Sequence, residues 1–367
     1  MTPYVAIDLP RLRRNIAAMQ ARATQAGVRL RPHAKTHKSP VIARWQIEAG
    51  AGGICCAKLA EAEVFADAGI PDIRLPYPVH PSNAPRVVAL LDRARLSIIV
   101  DDLDVARGWS AAMAAAGRRL DVLVKVDVGF HRCGIDPAAP NAVDMVRRVA
   151  DLPGLRFAGV LSHAGHGYGA ASAAALEGIA VREIELLTDV ARRARDAGVD
   201  IAEISVGSTP TARFIERQRG ATEMRPGNYV FFDRTQVGLG AATLDDCALS
   251  VMSTVVSRPA PTRVIFDAGA KTLAADLARG FGTHPGHGLV FPAIDAARPD
   301  PSISIERLSE EHATAWVPAT SPLKIGDRVR ILPNHACVVT NLMDELLLVD
   351  GLNVVDRLRV EARGKIW

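Results

Sequence analysis

The feature that most limits the fold of this chain is a regular alternation of short apolar runs with amphipathic segments. Eight apolar runs occur before residue 233, and most are separated by Ala-, Leu- and Arg-rich stretches with helical spacing. They are Val28–Leu30, Gly53–Cys56, Ile73–Leu75, Leu96–Val100, Val122–Val126, Phe157–Leu161, Ile204–Val206 and Tyr229–Phe232. Eight strands with helical crossovers predict a (β/α)₈ barrel. An open doubly wound sheet fits less well, because no Gly-rich dinucleotide motif follows the first strand.

The pattern changes after residue 242, where strand-like runs are joined by Gly-, Pro- and Asp-containing connections. We therefore expect a barrel over residues 8–242 and a C-terminal all-β domain over residues 243–367, with residues 1–7 as a further strand of that domain. The net charge of +4 is small and dispersed, which argues against a nucleic-acid partner. No apolar run is long enough to span a membrane.

The cysteines and the N-terminus indicate the cellular setting. The five cysteines are odd in number and lack the spacing of a disulfide framework. The first residues show neither the basic nor the apolar region of a secretory signal. We therefore expect a cytoplasmic protein.

The sequence R-P-H-A-K-T-H-K-S-P, residues 31–40, places Lys35 just after the first predicted strand. Barrel enzymes carry their chemistry at this end of the strands. The flanking basic residues His33, His37 and Lys38 favour a neutral amine, which a Schiff-base nucleophile requires. The alternative reading of these ten residues is a solvated basic loop.

A phosphate site is predicted at neighbouring strands of the same barrel. Gly207-Ser208-Thr209 follows the seventh predicted strand, and Gly227-Asn228 immediately precedes the eighth. Hydroxyl groups and open backbone N–H groups bind phosphate in this part of many barrels. A lysine beside a phosphate site suits pyridoxal 5′-phosphate (PLP), an aldehyde cofactor with a phosphate group. Taken alone, these residues could form ordinary turns.

A second candidate site lies in Pro333-Asn334-His335-Ala336-Cys337 of the C-terminal domain. On an extended strand, His335 and Cys337 would lie on the same face. An imidazole beside a thiolate forms half of a zinc site and leaves positions for water or substrate. The H-x-C pattern also arises by chance.

Six motifs in order resemble the metal-activated D-serine dehydratase and D-threonine aldolase family, whose fold is similar to that of alanine racemase. The resemblance covers nearly the whole chain. The motifs are R-P-H-A-K-T-H-K (31–38), V-D-V-G-F-H-R-C-G (126–134), S-V-G-S-T-P (205–210), R-P-G-N-Y-V-F-F-D (225–233), S-E-E-H (309–312) and P-N-H-A-C (333–337).

The resemblance implies a role for each matching position. Lys35 would hold PLP covalently, His335 and Cys337 would bind zinc or another divalent metal, and the other residues would surround the cofactor. These are Arg132 near the phenolic oxygen, His163 and Tyr168 beside the ring or substrate, Arg225 near the pyridine nitrogen, and Ser208, Thr209, Gly227 and Asn228 at the phosphate. A homodimer acting on a D-amino acid is also implied.

The H-x-C motif indicates which reaction to expect. The dehydratase branch of the family carries H-x-C, whereas the typical aldolase branch carries H-x-D. We therefore expect a PLP- and zinc-dependent lyase that converts D-serine to pyruvate and ammonia. D-threonine aldolase, D-3-hydroxyaspartate dehydratase and amino acid racemase remain alternatives, and a PLP carrier protein without turnover is a fourth.

Overall fold

The computed structural model describes all 367 residues and contains two sheets. In the first, eight parallel strands follow the order β2-β9-β8-β7-β6-β5-β4-β3. The strands are β2 (Arg29–Leu30), β3 (Ile54–Cys55), β4 (Asp72–Pro78), β5 (Arg95–Val100), β6 (Leu120–Lys125), β7 (Leu155–Leu161), β8 (Glu203–Val206) and β9 (Glu223–Met224). The helices around them are α1 (Leu9–Gln25), α2 (Pro40–Glu48), α3 (Leu59–Asp67), α4 (Ala84–Leu91), α5 (Leu103–Ala115), α6 (Ala142–Ala150), α7 (Ala173–Asp196) and α8 (Arg234–Gly238).

The first and last strands of this order, β2 and β3, also meet. The Cys55 N–H donates to the carbonyl of Pro32 at 2.8 Å, and His33 forms a parallel bridge with Cys55. These contacts close the sheet. The predicted (β/α)₈ barrel is therefore confirmed.

One predicted strand is wrong. Tyr229–Phe232 is not a strand, because Asn228–Val230 form a 3₁₀ turn and the eighth strand is β9. Both residues of β9 are buried, but the charged Glu223 interrupts the apolar pattern that marks a strand in the sequence. The loop that begins at Arg225 consequently follows the eighth strand, and it lies at the same barrel end as Lys35.

The second sheet has nine strands and is mostly antiparallel. Its strands are β1 (Tyr4–Asp8), β10 (Leu249–Ala260), β11 (Arg263–Phe266), β12 (Leu289–Phe291), β13 (Ser304–Leu308), β14 (Ala313–Trp316), β15 (Arg328–Leu332), β16 (Glu345–Asp350) and β17 (Asn353–Arg359). β1 pairs with β10 and β16, so the N-terminal strand lies in the C-terminal sheet. Two short helices accompany the sheet, α9 (Ala270–Leu273) and α10 (Ala336–Leu342). The border after residue 242 remains a prediction.

The chain passes from the second sheet into the barrel through α1. Asp8 caps this helix by accepting a hydrogen bond from the Arg11 N–H at 2.9 Å, and a proline lies in the first turn. Leu12 and Ile16 are buried and pack in the apolar core of the second sheet, whereas Met19 packs in the core around the barrel. This one helix therefore contributes to both cores. None of the helices combines the length and the apolar composition that a membrane crossing requires.

The barrel interior contains buried ion pairs in addition to apolar side chains. The Glu223 carboxylate accepts hydrogen bonds from Arg31 at 2.8 Å and from Arg74 at 2.5 Å. The Ser205 hydroxyl donates to the same carboxylate at 2.6 Å. Burial alone would raise the pKa of Glu223, but the two arginines and the hydroxyl lower it from 4.5 to about 2.

We expect Glu223→Gln to lower the free energy of unfolding by about 3–5 kcal/mol near neutral pH, because it leaves two buried arginines without their shared carboxylate. The folded carboxyl has the lower pKa, so its stabilising contribution is present above about pH 4.5 and is lost as the pH falls to about 2. Urea unfolding of both proteins should therefore show a difference that shrinks across this range. The exposed Glu216→Gln is the matched control. A difference that does not change with pH would contradict the prediction.

Candidate active site

A cavity of about 700 Å³ opens at the C-terminal end of the barrel strands, between the barrel and the second sheet. The structure brings all eleven sequence-predicted site residues to its wall. They are Lys35, Arg132, His163, Tyr168, Ser208, Thr209, Arg225, Gly227, Asn228, His335 and Cys337. These residues come from loops after six different strands, so only the closed fold places them together.

Lys35 lies in a 3₁₀ turn, Ala34–Thr36, directly after β2. The His33 ring caps this turn by accepting a hydrogen bond from the Lys35 N–H at 3.4 Å, and it also lines the cavity. The other two basic neighbours are engaged elsewhere. Lys38 pairs with Glu61 at 2.9 Å, and the His37 ring contacts the Gln46 side chain at 3.2 Å. Of the basic residues around Lys35 in sequence, only His33 shares its cavity.

The loops after β8 and β9 meet at the predicted phosphate site. The Gly227 N–H donates to the Thr209 hydroxyl at 3.2 Å, which joins the two loops. A Cβ atom at Gly227 would lie 3.0 Å from the Cβ and carbonyl oxygen of His33, so only glycine fits without a shift. Ser208 is held by its hydroxyl contact with Thr211 at 3.0 Å. The result is a narrow, polar recess beside the Lys35 turn.

Arg225 points into the barrel and is buried. Its guanidinium donates to the Ser205 hydroxyl and to the carbonyl of Ser162. Ser205 in turn donates to Glu223, so Arg225 is linked to the ion pairs of the barrel interior. These contacts direct the Arg225 guanidinium toward the barrel interior, an orientation that the sequence alone does not predict.

The loops after β6 and β7 provide one side of the cavity. The His163 Nδ1 contacts the carbonyl of Gly207 at 3.1 Å, and its ring meets Phe130 edge-on. Burial, followed by the charges of Lys125 and Lys35, holds the pKa of His163 well below its usual value. A neutral ring with Nδ1–H bound to a carbonyl carries its lone pair on Nε2. His163 is therefore a neutral hydrogen-bond acceptor at Nε2, and its lowered pKa makes it a weak base.

Arg132 and Tyr168 complete this side of the cavity. Arg132 lies over the Phe130 ring at 5.0 Å from its centroid. The Tyr168 hydroxyl accepts a hydrogen bond from the Gln236 side chain at 3.3 Å. Burial raises the pKa of Tyr168, so its hydroxyl remains protonated.

His335 and Cys337 do not lie on an extended strand, and that prediction is wrong. His335 precedes α10, and Cys337 lies in the first turn of the helix. Asp233 accepts a hydrogen bond from the Ala336 N–H at 2.9 Å, which anchors the helix start. The Asp276 carboxylate lies 3.1 Å from the His335 Nδ1 and leaves Nε2 free.

The two side chains nevertheless interact, and their pairing favours the thiolate. Burial opposes ionisation of Cys337, but His335 and the Thr36 hydroxyl outweigh it and lower the pKa of the thiol. Burial likewise opposes protonation of His335, but Cys337, Asp233 and Asp276 raise its pKa to about 10. Each side chain therefore favours the charged form of the other, and a metal ion would take the place of the proton that they share.

The predicted metal motif, His335 and Cys337, is in direct contact with the turn that carries Lys35. The Thr36 hydroxyl lies 3.2 Å from the Cys337 sulfur. The Lys38 ammonium donates to the Asn341 side chain of α10 at 2.7 Å. Two hydrogen bonds thus hold α10 against the turn that carries Lys35.

The sequence interpretation missed several residues of this wall. Lys125, at the end of β6, is buried and its Nζ has no hydrogen-bond partner. Burial and the charges of Arg225 and Arg132 lower the pKa of Lys125 to about 7. A lysine ending an apolar strand was a usable signal. Asp276 and Arg279 lie in an irregular segment, and no pattern in the sequence marked them.

One motif of the resemblance lies elsewhere. Residues 309–312 form the turn between β13 and β14, and none of them lines the cavity. Lys271 pairs there with Glu310 and Glu311. The contact joins this turn to α9.

The fold and the cavity define a barrel enzyme of the alanine racemase type, with a lysine, a polar recess and a histidine–cysteine pair at one site. The chain belongs to the family described as alanine racemase, N-terminal domain, which matches residues 7–235, and a serine dehydratase domain matches residues 248–349. This is a PLP-dependent family, so the predicted cofactor class is supported.

Relatives over nearly the full length are lyases. The chain is 37% identical to D-threo-3-hydroxyaspartate dehydratase of Delftia sp. (strain HT23), covering 92% of this chain and 90% of that protein. It is 34% identical to D-threonine aldolase of Arthrobacter sp, covering 99% and 93%. A solved structure of the Delftia dehydratase matches with a TM-score of 0.91 at 35% identity, covering 98% and 97%. Other structures of that enzyme include a cysteine-to-alanine variant in the metal-free form and a histidine-to-alanine variant two positions earlier.

Proposed function

We propose that this protein is a PLP- and zinc-dependent lyase that dehydrates D-3-hydroxy amino acids, with D-serine as the simplest substrate. The observation that carries the proposal is the contact between the Lys35 turn and the metal motif, 3.2 Å from the Thr36 hydroxyl to the Cys337 sulfur. One substrate can therefore reach both the amine and the metal motif from a single cavity. An amino acid racemase does not need the histidine and cysteine of the metal motif.

The residues present fit PLP. Glycine at position 227 lets the loop after β9 pack directly against the Lys35 turn, where a Cβ would meet His33. The hydroxyls of Ser208 and Thr209 line the cavity beside it and suit a phosphate group. Lys125 and Arg225 are buried, and neither has a carboxylate in direct contact. Their positive charge would offset the negative charge of the cofactor. Lys35 would bind the aldehyde carbon, while Ser208 and Thr209 would hold the phosphate.

The residues present also fit a divalent metal. The lowered pKa of Cys337 eases formation of a thiolate ligand, and Asp276 contacts the His335 Nδ1, as carboxylates commonly do behind metal-bound histidines. An imidazole and a thiolate favour zinc over magnesium or manganese. Two protein ligands leave positions for the substrate hydroxyl. A cysteine-to-alanine variant of D-threo-3-hydroxyaspartate dehydratase, solved in the metal-free form, supports the same role for Cys337.

The chemistry divides between the bound groups and the chain. PLP would stabilise the carbanion at Cα, and zinc would act as the Lewis acid for the departing hydroxide. Lys35 would take the Cα proton as general base after the substrate amine has displaced it. Loss of hydroxide from Cβ leaves an enamine, which hydrolyses to a 2-oxo acid and ammonia. D-serine gives pyruvate without any change in overall oxidation state.

Retro-aldol cleavage is the second candidate, and His163 favours it. This neutral imidazole, with Nε2 unprotonated, would accept a hydrogen bond from the β-hydroxyl, whose proton must leave when the Cα–Cβ bond breaks. The cysteine ligand favours dehydration instead, because a thiolate selects zinc, a Lewis acid that assists departure of the hydroxyl as hydroxide.

The test uses the protein loaded with PLP and zinc. It is incubated separately with D-serine, D-threonine and D-threo-3-hydroxyaspartate, and the products are identified by chromatography. A 2-oxo acid and ammonia in equal amounts are expected. Glycine with an aldehyde as the main products would overturn the dehydratase assignment, and no product from any substrate would overturn the lyase assignment. We also propose that the protein is a homodimer, which gel filtration of the same sample tests.

A further inference from the structure

We propose that Arg279 binds the distal carboxylate of substrates that carry both a hydroxyl and a carboxylate on Cβ, so that the cavity prefers D-3-hydroxyaspartate over D-serine. This inference rests on the proposed function and names its substrate class. Arg279 is the only arginine of the cavity that lies outside the barrel loops.

Arg279 is held at the cavity mouth by its backbone. It belongs to residues 274–281, called here the rim segment. Its N–H donates to the Thr235 hydroxyl at 3.1 Å, and the next anchor is the Phe281 N–H, which donates to the carbonyl of Gly238 at 2.8 Å. On the other side, the Asn334 side chain donates to the carbonyl of Asp276 at 3.0 Å. The rim segment is thus tied to α8 and to the residue that precedes His335.

The guanidinium of Arg279 is free for a ligand. The nearby carboxylate of Asp276 is directed to His335 at 3.1 Å, and the buried carboxylate of Asp233 is occupied by the start of α10. Arg279 itself makes no side-chain hydrogen bond and no ion pair in the chain. Its side chain is exposed at the cavity mouth, so leaving it unpaired costs little.

The position matches the substrate geometry. The β-hydroxyl must reach His335 and Cys337, and the His335 ring contacts Asp276 of the rim segment at 3.1 Å, so Cβ would lie near this segment. A carboxylate on the same carbon would then face the rim segment. An arginine can bind it through two parallel N–H donors, which gives both affinity and orientation. D-serine has only hydrogen at this position and would leave Arg279 in water.

Binding without turnover provides the direct test. D-aspartate and D-alanine differ by the carboxylate and lack a β-hydroxyl, so their binding to the PLP-loaded protein can be followed by cofactor absorbance. We expect D-aspartate to bind about 10- to 100-fold more tightly, as for a charge-assisted hydrogen bond. Arg279→Ala should remove this preference, and Arg279→Lys should keep part of it. Arg307→Ala, an exposed arginine of β13, is the control and should leave the preference unchanged.

Turnover provides the second readout. In Arg279→Ala, kcat/KM for D-threo-3-hydroxyaspartate should fall by a similar factor, mainly through KM, while D-serine turnover changes little. A preference for D-aspartate that persists in Arg279→Ala, or that is absent from the unaltered protein, would overturn the inference. If the lyase proposal fails instead, none of the substrates gives a product. The binding of D-aspartate and D-alanine can still be compared in that case.

Discussion

Lys35→Ala should abolish lyase activity, with kcat/KM falling by about 10⁴-fold or more. The variant loses the amine that binds the cofactor aldehyde and the base that removes the Cα proton. The change should leave the fold intact, because the Lys35 side chain is exposed to the cavity and forms no ion pair. The measurement is steady-state turnover of D-serine and D-threo-3-hydroxyaspartate, with thermal unfolding as a check on structure.

Mass spectrometry after borohydride reduction tests the covalent role separately. The cofactor mass should appear on the peptide that contains Lys35 and should disappear in Lys35→Ala. The cavity contains a second lysine, Lys125, whose pKa of about 7 leaves a substantial neutral fraction near neutral pH. Labelling of Lys125 in the unaltered protein would refute the assignment to Lys35. The exposed Lys324→Ala is the matched control and should keep both labelling and activity.

Cys337→Ala should have the second largest effect, with loss of bound zinc and a fall in kcat/KM of about 10²- to 10⁴-fold. This range corresponds to the several kcal/mol that a Lewis acid contributes when an oxygen leaves with its electron pair. Metal content after dialysis and turnover of D-serine are the two measurements. Cys133→Ala is the control, because Cys133 is a free cysteine that does not line the cavity.

Cys337→Asp separates ligand chemistry from mere loss of a side chain. A carboxylate in place of the thiolate should weaken zinc binding relative to manganese, because the harder oxygen ligand suits the harder ion. Cys337→Ala should bind neither ion tightly. Full zinc content in Cys337→Ala would refute the metal role.

The sequence identified the barrel and the chemistry-bearing loops because both follow from local patterns. Apolar runs such as that ending at Val100 are buried strands, and polar residues after such runs lie at the active end of a barrel. The same reasoning failed at Glu223, where a buried strand carries a carboxylate because two arginines neutralise it inside the barrel. It also failed at Cys337, which was assigned to extended backbone although α10 begins at Ala336.

Sequence alone therefore determined the kind of fold, and it predicted the PLP lysine and the two types of metal ligand. It could not determine which side chains face one another, because Thr36 and Cys337 are 301 residues apart and meet only when the two sheets pack together. The inward direction of Arg225 and the free guanidinium of Arg279 are likewise set by partners distant in sequence. Hydrogen bonds and ion pairs at such distances leave no periodic pattern in the chain, so only the tertiary structure decides them.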